Sequence, residues 1–269
     1  MVKLIDKIDI FDRGYIELWD FSKANSSSAS RIEAAAKIAM VCRNLESIKN
    51  PLKLYHKLLH EHAGEPSEVI QFIPVMDNVG RKEFDLEIRD YRFGDIDSDG
   101  KFRTNLRNYV NPLKVMYCDS VNGFYVFKLK LPVMSVAHIT RHGQLSCNQM
   151  SERHVKAREY YMPRELTDVL GKEDWDSMIY RLSQKDFDCI SKSHKIRQEL
   201  TNKGSHGLAY TKLWVAGWIQ DKSTWNNFFN VRLKNQTQFE TRTIASAMYQ
   251  LIRTHDKALA YKYIGARHV

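Results

Sequence analysis

The chain has 269 residues, of which 43% are hydrophobic and 27% are charged, a balance typical of a soluble globular protein. No apolar run approaches the ~18 residues that a membrane span needs, and acidic residues interrupt the apolar N-terminus, so we expect a cytoplasmic protein without a membrane partner. Lys and Arg exceed Asp and Glu by 41 to 32, which favours a polyanionic partner, either nucleic acid or phosphorylated nucleotides and cofactors.

Helix-start signals divide the first part of the chain. Ser30 and Glu33 have the spacing of a capping box, in which each side chain receives a backbone N–H at the start of a helix. Pro51 after Asn50 predicts the start of a second helix. Its buried face is predicted to consist of Leu52, Tyr55 and Leu59. Residues 69–75 are then predicted to form a short strand.

A longer strand is predicted over residues 123–133, because aromatic and aliphatic side chains alternate there with lysines. The stretch between the two strands is rich in Asp, Arg, Gly and Asn, and we interpret about 76–122 as an insertion. From residue 164 onward the pattern is mostly helical and ends in a long helical segment over 224–259. The buried face of that segment is predicted to carry Ile244, Met248 and Leu251.

Neither metal binding nor disulfide chemistry is predicted. The four cysteines are far apart and form no C-x-x-C pair, so reduced thiols are expected at Cys42, Cys118, Cys147 and Cys189. His56 and His60 have a spacing that would let them share a metal, but no third ligand is implied nearby. The acidic run that starts at Asp95 imitates half of an EF-hand, but its twelfth position is Leu106, which cannot supply a carboxylate.

Residues 141–154 form the most informative segment. They concentrate cations, hydroxyls and amides within fourteen positions, with little to bury. Such a segment can cradle a phosphate and hydrogen-bond a base, although a polar surface loop is the plainer interpretation of its composition alone.

The segment resembles the signature of the flavin-dependent thymidylate synthases, R-H-R-x-x-S-x-N-E-x-S-x-R-Y. The positions that match in register are Arg141, His142, Ser146, Asn148, Ser151 and Arg153. Three further elements follow the family's order: 62–68 is similar to H-x-[ST]-P-x-E-H, 160–163 to F-Y-x-P, and 227–232 to N-F-L-x-L-R. The departures are Gly143 for the second Arg, Gln149 for Glu, His154 for Tyr, and His138 where the family usually has Gln.

The resemblance implies an α+β fold in a single domain spanning 1–269, with a central antiparallel sheet, flanking helices and a helical C-terminal half. It also implies a methyltransferase that converts dUMP to dTMP with methylenetetrahydrofolate, FAD and NADPH. No cysteine nucleophile is needed in that chemistry, so the protein's share is orientation and electrostatics. The family assembles its sites between subunits of a homotetramer, which is the expected state here.

The same resemblance implies roles for individual residues. Arg232 and Ser151 are the expected catalytic residues, with Arg232 stabilising the ionised N3 side of the pyrimidine. The expected dUMP-binding residues are His138, Arg141, Gln149, Ser151, Arg153 and Arg232. The expected FAD-binding residues are His62, Glu68, Arg141, His142 and Asn227.

The sequence also allows two alternative functions. The changes at Gln149 and His138 allow a related enzyme that acts on another pyrimidine nucleotide such as dCMP, or that leaves a hydroxymethyl group. The net charge of +9 also allows a basic nucleic-acid-binding protein on the same scaffold, without the flavin contacts.

Overall fold

The computed structural model describes most of the chain. The described ranges are 2–61, 66–78, 95–96, 100–151, 159–162, 174–179, 181 and 208–265. Across these ranges, no helix is long and apolar enough to cross a membrane, and no group of three or more His, Cys, Asp and Glu is placed to hold a metal ion.

Strands and helices are interspersed along the described ranges. The strands are β1 (Lys3–Ile10), β2 (Gly14–Asp20), β3 (Pro74–Asn78), β4 (Asp95–Ile96), β5 (Lys101–Asn105), β6 (Phe124–Pro132), β7 (Ser146–Gln149) and β8 (Tyr210–Trp218). The α-helices are α1 (Ser28–Ala39), α2 (Pro51–Leu59), α3 (Val133–Thr140), α4 (Trp225–Arg232), α5 (Phe239–His255) and α6 (Lys257–Tyr263). Short 3₁₀ helices cover Met40–Arg43, Glu68–Phe72, Leu106–Asn108 and Pro112–Lys114, and residues 174–179 are also helical.

A five-stranded antiparallel sheet, in the order β1-β2-β6-β8-β7, lies at the centre of the fold. Because successive side chains of a strand point to opposite faces, each strand serves two cores. Phe127 and Val215 pack against α3, α4, α5 and α6 on one face. Val126 and Trp214 pack against α1, α2 and the small sheet on the other. The α+β class and the central antiparallel sheet are therefore confirmed.

The predicted insertion supplies the small sheet. β3, β5 and β4 pair antiparallel in the order β3-β5-β4, and Phe102 of β5 is buried in the core on the α1 side. Buried Arg31 of α1 fastens the following segment, because it donates to the carbonyl oxygens of Pro112 at 3.3 Å and Val115 at 2.6 Å. Residues 79–94 and 97–99 of the insertion lie outside the described part.

Several local predictions at the N-terminal end need correction. The N-cap of α1 is Ser27, whose hydroxyl accepts the Ser30 N–H at 3.1 Å, so the capping box that begins at Ser30 is wrong. Glu33 instead accepts the backbone N–H of Val2 at 3.2 Å. The start of α2 at Pro51 with Asn50 as cap is confirmed. Tyr55 and Leu59 are buried as predicted, whereas Leu52 is 52% exposed and Leu58 is buried in its place.

Two strand predictions have different outcomes. The strand over 123–133 is confirmed as β6, at the middle of the large sheet. The strand over 69–75 is wrong for its first half, which is the 3₁₀ helix Glu68–Phe72, and β3 begins only at Pro74. Ser67 caps this 3₁₀ helix by accepting the Val69 N–H at 3.3 Å, and such short polar caps compete with extended structure.

The helical C-terminal half is confirmed only in part. α4, α5 and α6 divide the predicted segment 224–259, and Ile244, Met248 and Leu251 are buried as expected. However, β7 and β8 also lie in this half, and β8 is an inner strand of the sheet. The sequence of β8 shows little polar alternation, because all but one of its nine residues are buried. Much of the predicted helical stretch that begins at residue 164, including 164–173 and 182–207, lies outside the described residues.

Candidate active site

Four of the predicted site residues meet where α3 and α4 end. Arg232 is the last residue of α4, and its Nε donates to Nε2 of His142 at 3.1 Å. Its Nη2 donates to the backbone oxygen of His138, also at 3.1 Å. Arg141 caps the C-terminus of α3, and its charge acts on the Arg232 guanidinium. We call His138, Arg141, His142 and Arg232 the arginine–histidine cluster.

The hydrogen bond from Arg232 fixes the protonation state of His142. An Nε2 that accepts a hydrogen bond carries no proton, so the neutral ring holds its proton on Nδ1. His142 is 8% exposed and packs edge-on against the Phe228 ring at 5.2 Å. Burial and the nearby Arg232 charge both lower the pKa of His142. The imidazole therefore serves as a neutral acceptor that holds the guanidinium in place.

A cavity of about 330 Å³ opens beside this cluster. Its lining includes His138, Arg232 and Lys234, together with the polar side chains of Gln236, Gln238 and Thr241. Burial and the Arg141 charge lower the pKa of Arg232, although guanidinium groups stay charged in proteins. The cavity thus presents the fixed Arg232 guanidinium, the exposed Lys234 ammonium and several neutral hydrogen-bonding groups, which suits a small polar anion.

The signature segment 146–149 is strand β7, which corrects the plainer interpretation of it as a surface loop. Asn148 donates to the carbonyl oxygen of Ile38 at 3.0 Å and accepts from the Cys42 thiol at 3.2 Å, so it ties the strand to α1. Gln149 donates to the Thr211 hydroxyl at 3.4 Å. Burial raises the pKa of Cys147 to about 12. This thiol is therefore neutral near pH 7.

Glu68 lies beside the same strand. Its negative charge contributes to the raised pKa of Cys147, and Glu68 and Asn148 line one cavity of about 710 Å³. Arg43 and Arg107 also line this cavity, whose remaining wall is largely apolar. The structure therefore brings the predicted flavin residue Glu68 to the signature strand, in a cavity that Arg43, Lys57 and Arg107 also line.

Other predicted site residues lie apart from the arginine–histidine cluster. Ser151 donates its backbone N–H to the carbonyl oxygen of Cys42 at 2.9 Å, on the α1 side of the sheet. No hydrogen bond within the described ranges joins Ser151 to Arg232. Asn227 is exposed on α4. His62 and Arg153 lie outside the described residues.

Sequence reasoning missed five polar residues that line the cavity beside Arg232, namely Lys234, Gln236, Thr237, Gln238 and Thr241. Gln238 lies immediately before α5. The only sequence signal was proximity to the N-F-L-x-L-R-like element, because the turn between α4 and α5 is what brings these residues back to Arg232. Asp221, which precedes α4, accepts the Ser223 N–H at 2.8 Å.

Part of the chain matches a known protein family. Residues 123–256, about half of the chain, match the family model described as thymidylate synthase complementing protein. The chain belongs to the flavin-dependent thymidylate synthase family. No curated protein matches the chain.

The family match confirms the resemblance stated from the motifs, and its span includes every member of the arginine–histidine cluster. Glu68 and the small sheet precede the matched span. Membership in this family implies a thymidylate synthase-type enzyme of the methyltransferase kind, acting in nucleotide biosynthesis.

Proposed function

We propose that this flavin-dependent synthase methylates C5 of dUMP to give dTMP, with methylenetetrahydrofolate as carbon donor, FAD as hydride carrier and NADPH as reductant. One observation carries the proposal: the Arg232 guanidinium is fixed by His142 and by the His138 carbonyl at the wall of a cationic cavity. The family match covers all three residues.

Some N–H groups of Arg232 remain available to bind a ligand. A guanidinium has five N–H groups, and the bonds to His142 and to the His138 carbonyl use two of them. The remaining three have no partner among the described residues. A planar cation beside the pyrimidine favours negative charge on the N3 side of the ring, which raises electron density at C5. Because its position is fixed before substrate arrives, little reorganisation is needed during the reaction.

The residues beside Glu68 fit a flavin nucleotide. Their cavity of about 710 Å³ combines an apolar wall with Arg43 and Arg107, which match a ring system and a diphosphate respectively. Within the signature segment, Gln144 Oε1 is buried and has no donor within the described part of the chain, so a ligand or a neighbouring subunit can supply one. Bound FAD would supply the hydride. Glu68, Arg43 and Arg107 would hold it, and Arg141 is exposed at the C-terminal end of α3.

A homotetramer with sites between subunits is part of the proposal. Supporting it, Ser151 lies on the α1 side of the sheet, whereas Arg232 lies at the end of a helix that packs on the opposite face. A nucleotide that needs both residues is best served by two copies of the chain. A lone monomer is then expected to be inactive.

His138 favours a second candidate, in which the nucleotide is dCMP. His138 lines the cavity beside Arg232, where the family usually has Gln. A neutral imidazole offers one donor and one acceptor nitrogen, whereas an amide offers two donors and a carbonyl oxygen. The change therefore alters which exocyclic group of a pyrimidine is accepted.

The deciding experiment titrates purified protein with FAD, following its visible absorbance, and then with dUMP and dCMP. Turnover with methylenetetrahydrofolate and NADPH is followed by mass spectrometry of the nucleotide. A mass increase of one methyl group on dUMP alone is expected. Methylation of dCMP alone would favour the second candidate, and a colourless protein that ignores FAD and both nucleotides would refute both.

A further inference from the structure

Three lysines from three different elements surround another cavity, on the α1 side of the sheet. Lys37 of α1, Lys128 of β6 and Lys212 of β8 line about 380 Å³. Asn44, which follows the first 3₁₀ helix, and Trp214 also line this cavity. We call this cavity the lysine pocket. It lies across the sheet from the arginine–histidine cluster, because Lys128 and Lys212 share the face of Val126 and Trp214.

The charges around the lysine pocket are unbalanced. Lys130 and Lys212 face each other directly on β6 and β8, an arrangement of like charges that destabilises a strand pair. Lys130 has Glu159 at 2.5 Å, and Lys128 has Glu17 at 3.8 Å. Within the described part of the chain, Lys212 donates to the side-chain oxygen of Asn44 at 2.6 Å and forms no ion pair.

Within the described ranges, Lys37 and Lys212 have no directly paired carboxylate, although the more distant charges of Glu159 and Glu17 partly offset the charge of Lys212. The Lys37 ammonium lies over the Trp19 ring at 4.4 Å, and no carboxylate within the described ranges forms an ion pair with either lysine. Glu46 lines the pocket but is exposed. Burial, followed by the charges of Lys128 and Lys130, lowers the pKa of Lys212. The protein therefore holds cationic side chains at a cost that an anion in the pocket would offset.

We propose that the lysine pocket binds a phosphate group, with Lys212, Lys37 and Lys128 as its cationic ligands. A phosphate dianion matches several ammonium groups that converge from different elements, because it accepts charge-assisted hydrogen bonds in several directions. Buried Trp214 lies beneath Lys128, with the ammonium 5.8 Å from the ring centroid, so the pocket floor is rigid.

The backbone places the lysine pocket next to the end of the signature segment. Met150 donates its N–H to the carbonyl oxygen of Lys212 at 2.8 Å, and Ser151 donates to that of Cys42 at 2.9 Å. Two sources of phosphate fit this position: free orthophosphate, or the phosphate group of a nucleotide. Since the pocket is separate from the Arg232 cavity, the inference goes beyond the proposed function and does not depend on it.

The test is isothermal titration of the flavin-free full chain with orthophosphate at low ionic strength, where charge attraction is least screened. Lys212→Met keeps the side-chain length but removes the charge, and is expected to weaken binding by about tenfold or more, the loss typical of a charge-assisted hydrogen bond. Lys53→Met on the exposed start of α2 is the matched control and should bind as wild type does. Thermal unfolding of each variant checks the fold.

Lys37→Met provides a second route should Lys212→Met not fold, because Lys37 lies on a helix surface and not on an inner strand. It is also expected to weaken orthophosphate binding several-fold. Equal affinity in wild type, Lys37→Met and any folded Lys212→Met, or no binding by wild type, would overturn the proposal.

Parallel titrations with dUMP and deoxyuridine distinguish the two sources of phosphate. Lys212-dependent binding of dUMP that is at least tenfold tighter than that of orthophosphate, with no deoxyuridine binding, identifies a nucleotide's phosphate group. Similar affinities for dUMP and orthophosphate identify free phosphate. Lys212-dependent binding of a short oligothymidylate without any orthophosphate binding would instead indicate nucleic acid and refute the proposal. FAD binding, measured separately, reports on the proposed function alone.

Discussion

Arg232 and His142 stand 90 positions apart in the sequence and are joined by a hydrogen bond of 3.1 Å between the guanidinium Nε and the imidazole Nε2. The two residues belong to separate motifs, one expected to act on the nucleotide and the other to lie at the flavin. Their contact means that a change in the protonation of His142 alters the placement of Arg232. The pair is thus a single unit in which a buried neutral ring orients a cation.

Arg232 is expected to govern turnover more than substrate binding. Arg232→Ala should depress kcat by about 10²-fold or more, because its charge acts on a ring that becomes anionic during the reaction. Arg232→Lys should rescue only partly, since an ammonium lacks the planar fork that reaches His142 and the His138 carbonyl together. Steady-state kinetics with dUMP and dCMP measures both effects.

The comparison variant for that measurement is Arg153→Ala. Arg153 is expected to hold the nucleotide phosphate equally in ground and transition states, so its loss should raise KM more than it lowers kcat. Near-wild-type turnover of Arg232→Ala on every nucleotide tried would remove Arg232 from the proposed mechanism.

His142 should make stability depend on pH below its ordinary pKa of 6.5. Its folded-state pKa is lowered by burial and by Arg232, so the unfolded chain takes up a proton at higher pH than the folded one. The stabilisation from the neutral ring is complete above pH 6.5 and is lost as pH falls through the lower folded-state pKa. Urea unfolding between pH 8 and pH 5 should therefore show a falling midpoint.

His142→Gln is the matched variant for that series. A glutamine oxygen can accept the Arg232 N–H but does not titrate in this range, so the variant's midpoint should fall less steeply below pH 6.5. Contributions from carboxylates are common to both proteins and cancel in the difference. Parallel curves for the two proteins would show that His142 does not carry the effect.

Cys147 is expected to be dispensable for chemistry, although it lies within the signature strand. Burial raises its pKa to about 12, so the nucleophilic thiolate is scarce at neutral pH. Cys147→Ala should leave turnover within about tenfold, or roughly 1.4 kcal/mol in barrier. The same limit applies to replacement of Cys42, Cys118 and Cys189. Complete loss of turnover in a folded Cys147→Ala that still binds nucleotide would instead indicate a cysteine nucleophile.

Arg31 is expected to stabilise the part of the insertion that follows β5. It is 2% exposed, and it donates to Asn25 Oδ1 at 2.6 Å as well as to the carbonyl oxygens of Pro112 and Val115. Arg31→Met leaves these acceptors buried without donors, so the free energy of unfolding should fall by about 3 kcal/mol. Urea denaturation measures the loss.

Arg242→Met is the control for Arg31→Met. Arg242 makes one surface hydrogen bond, to the carbonyl oxygen of Asn235 at 2.9 Å, and its loss should cost about 1 kcal/mol or less. Equal losses in the two variants would mean that the buried contacts of Arg31 contribute little beyond a surface bond.

Local sequence determined the elements whose signals are short-range. Pro51 after Asn50 starts α2 because a proline needs no N–H partner at the first helical position. Lys128 and Lys130 of β6 alternate with apolar residues because the two lysines lie on one face of the sheet, at an end that is only half-buried. The ordered motifs were enough to identify the family, since their residues are set by chemistry and not by packing.

Tertiary structure decided everything that depends on two faces or two distant segments. β8 was not predicted from the sequence, because its burial on both faces removes the polar alternation that marks a half-exposed strand. Ser27 caps α1 ahead of Ser30 although both are serines, because the helix already begins at Ser28. The bond between Arg232 and His142, and the convergence of Lys37, Lys128 and Lys212, follow from the docking of helices on opposite faces of one sheet, which no local pattern encodes.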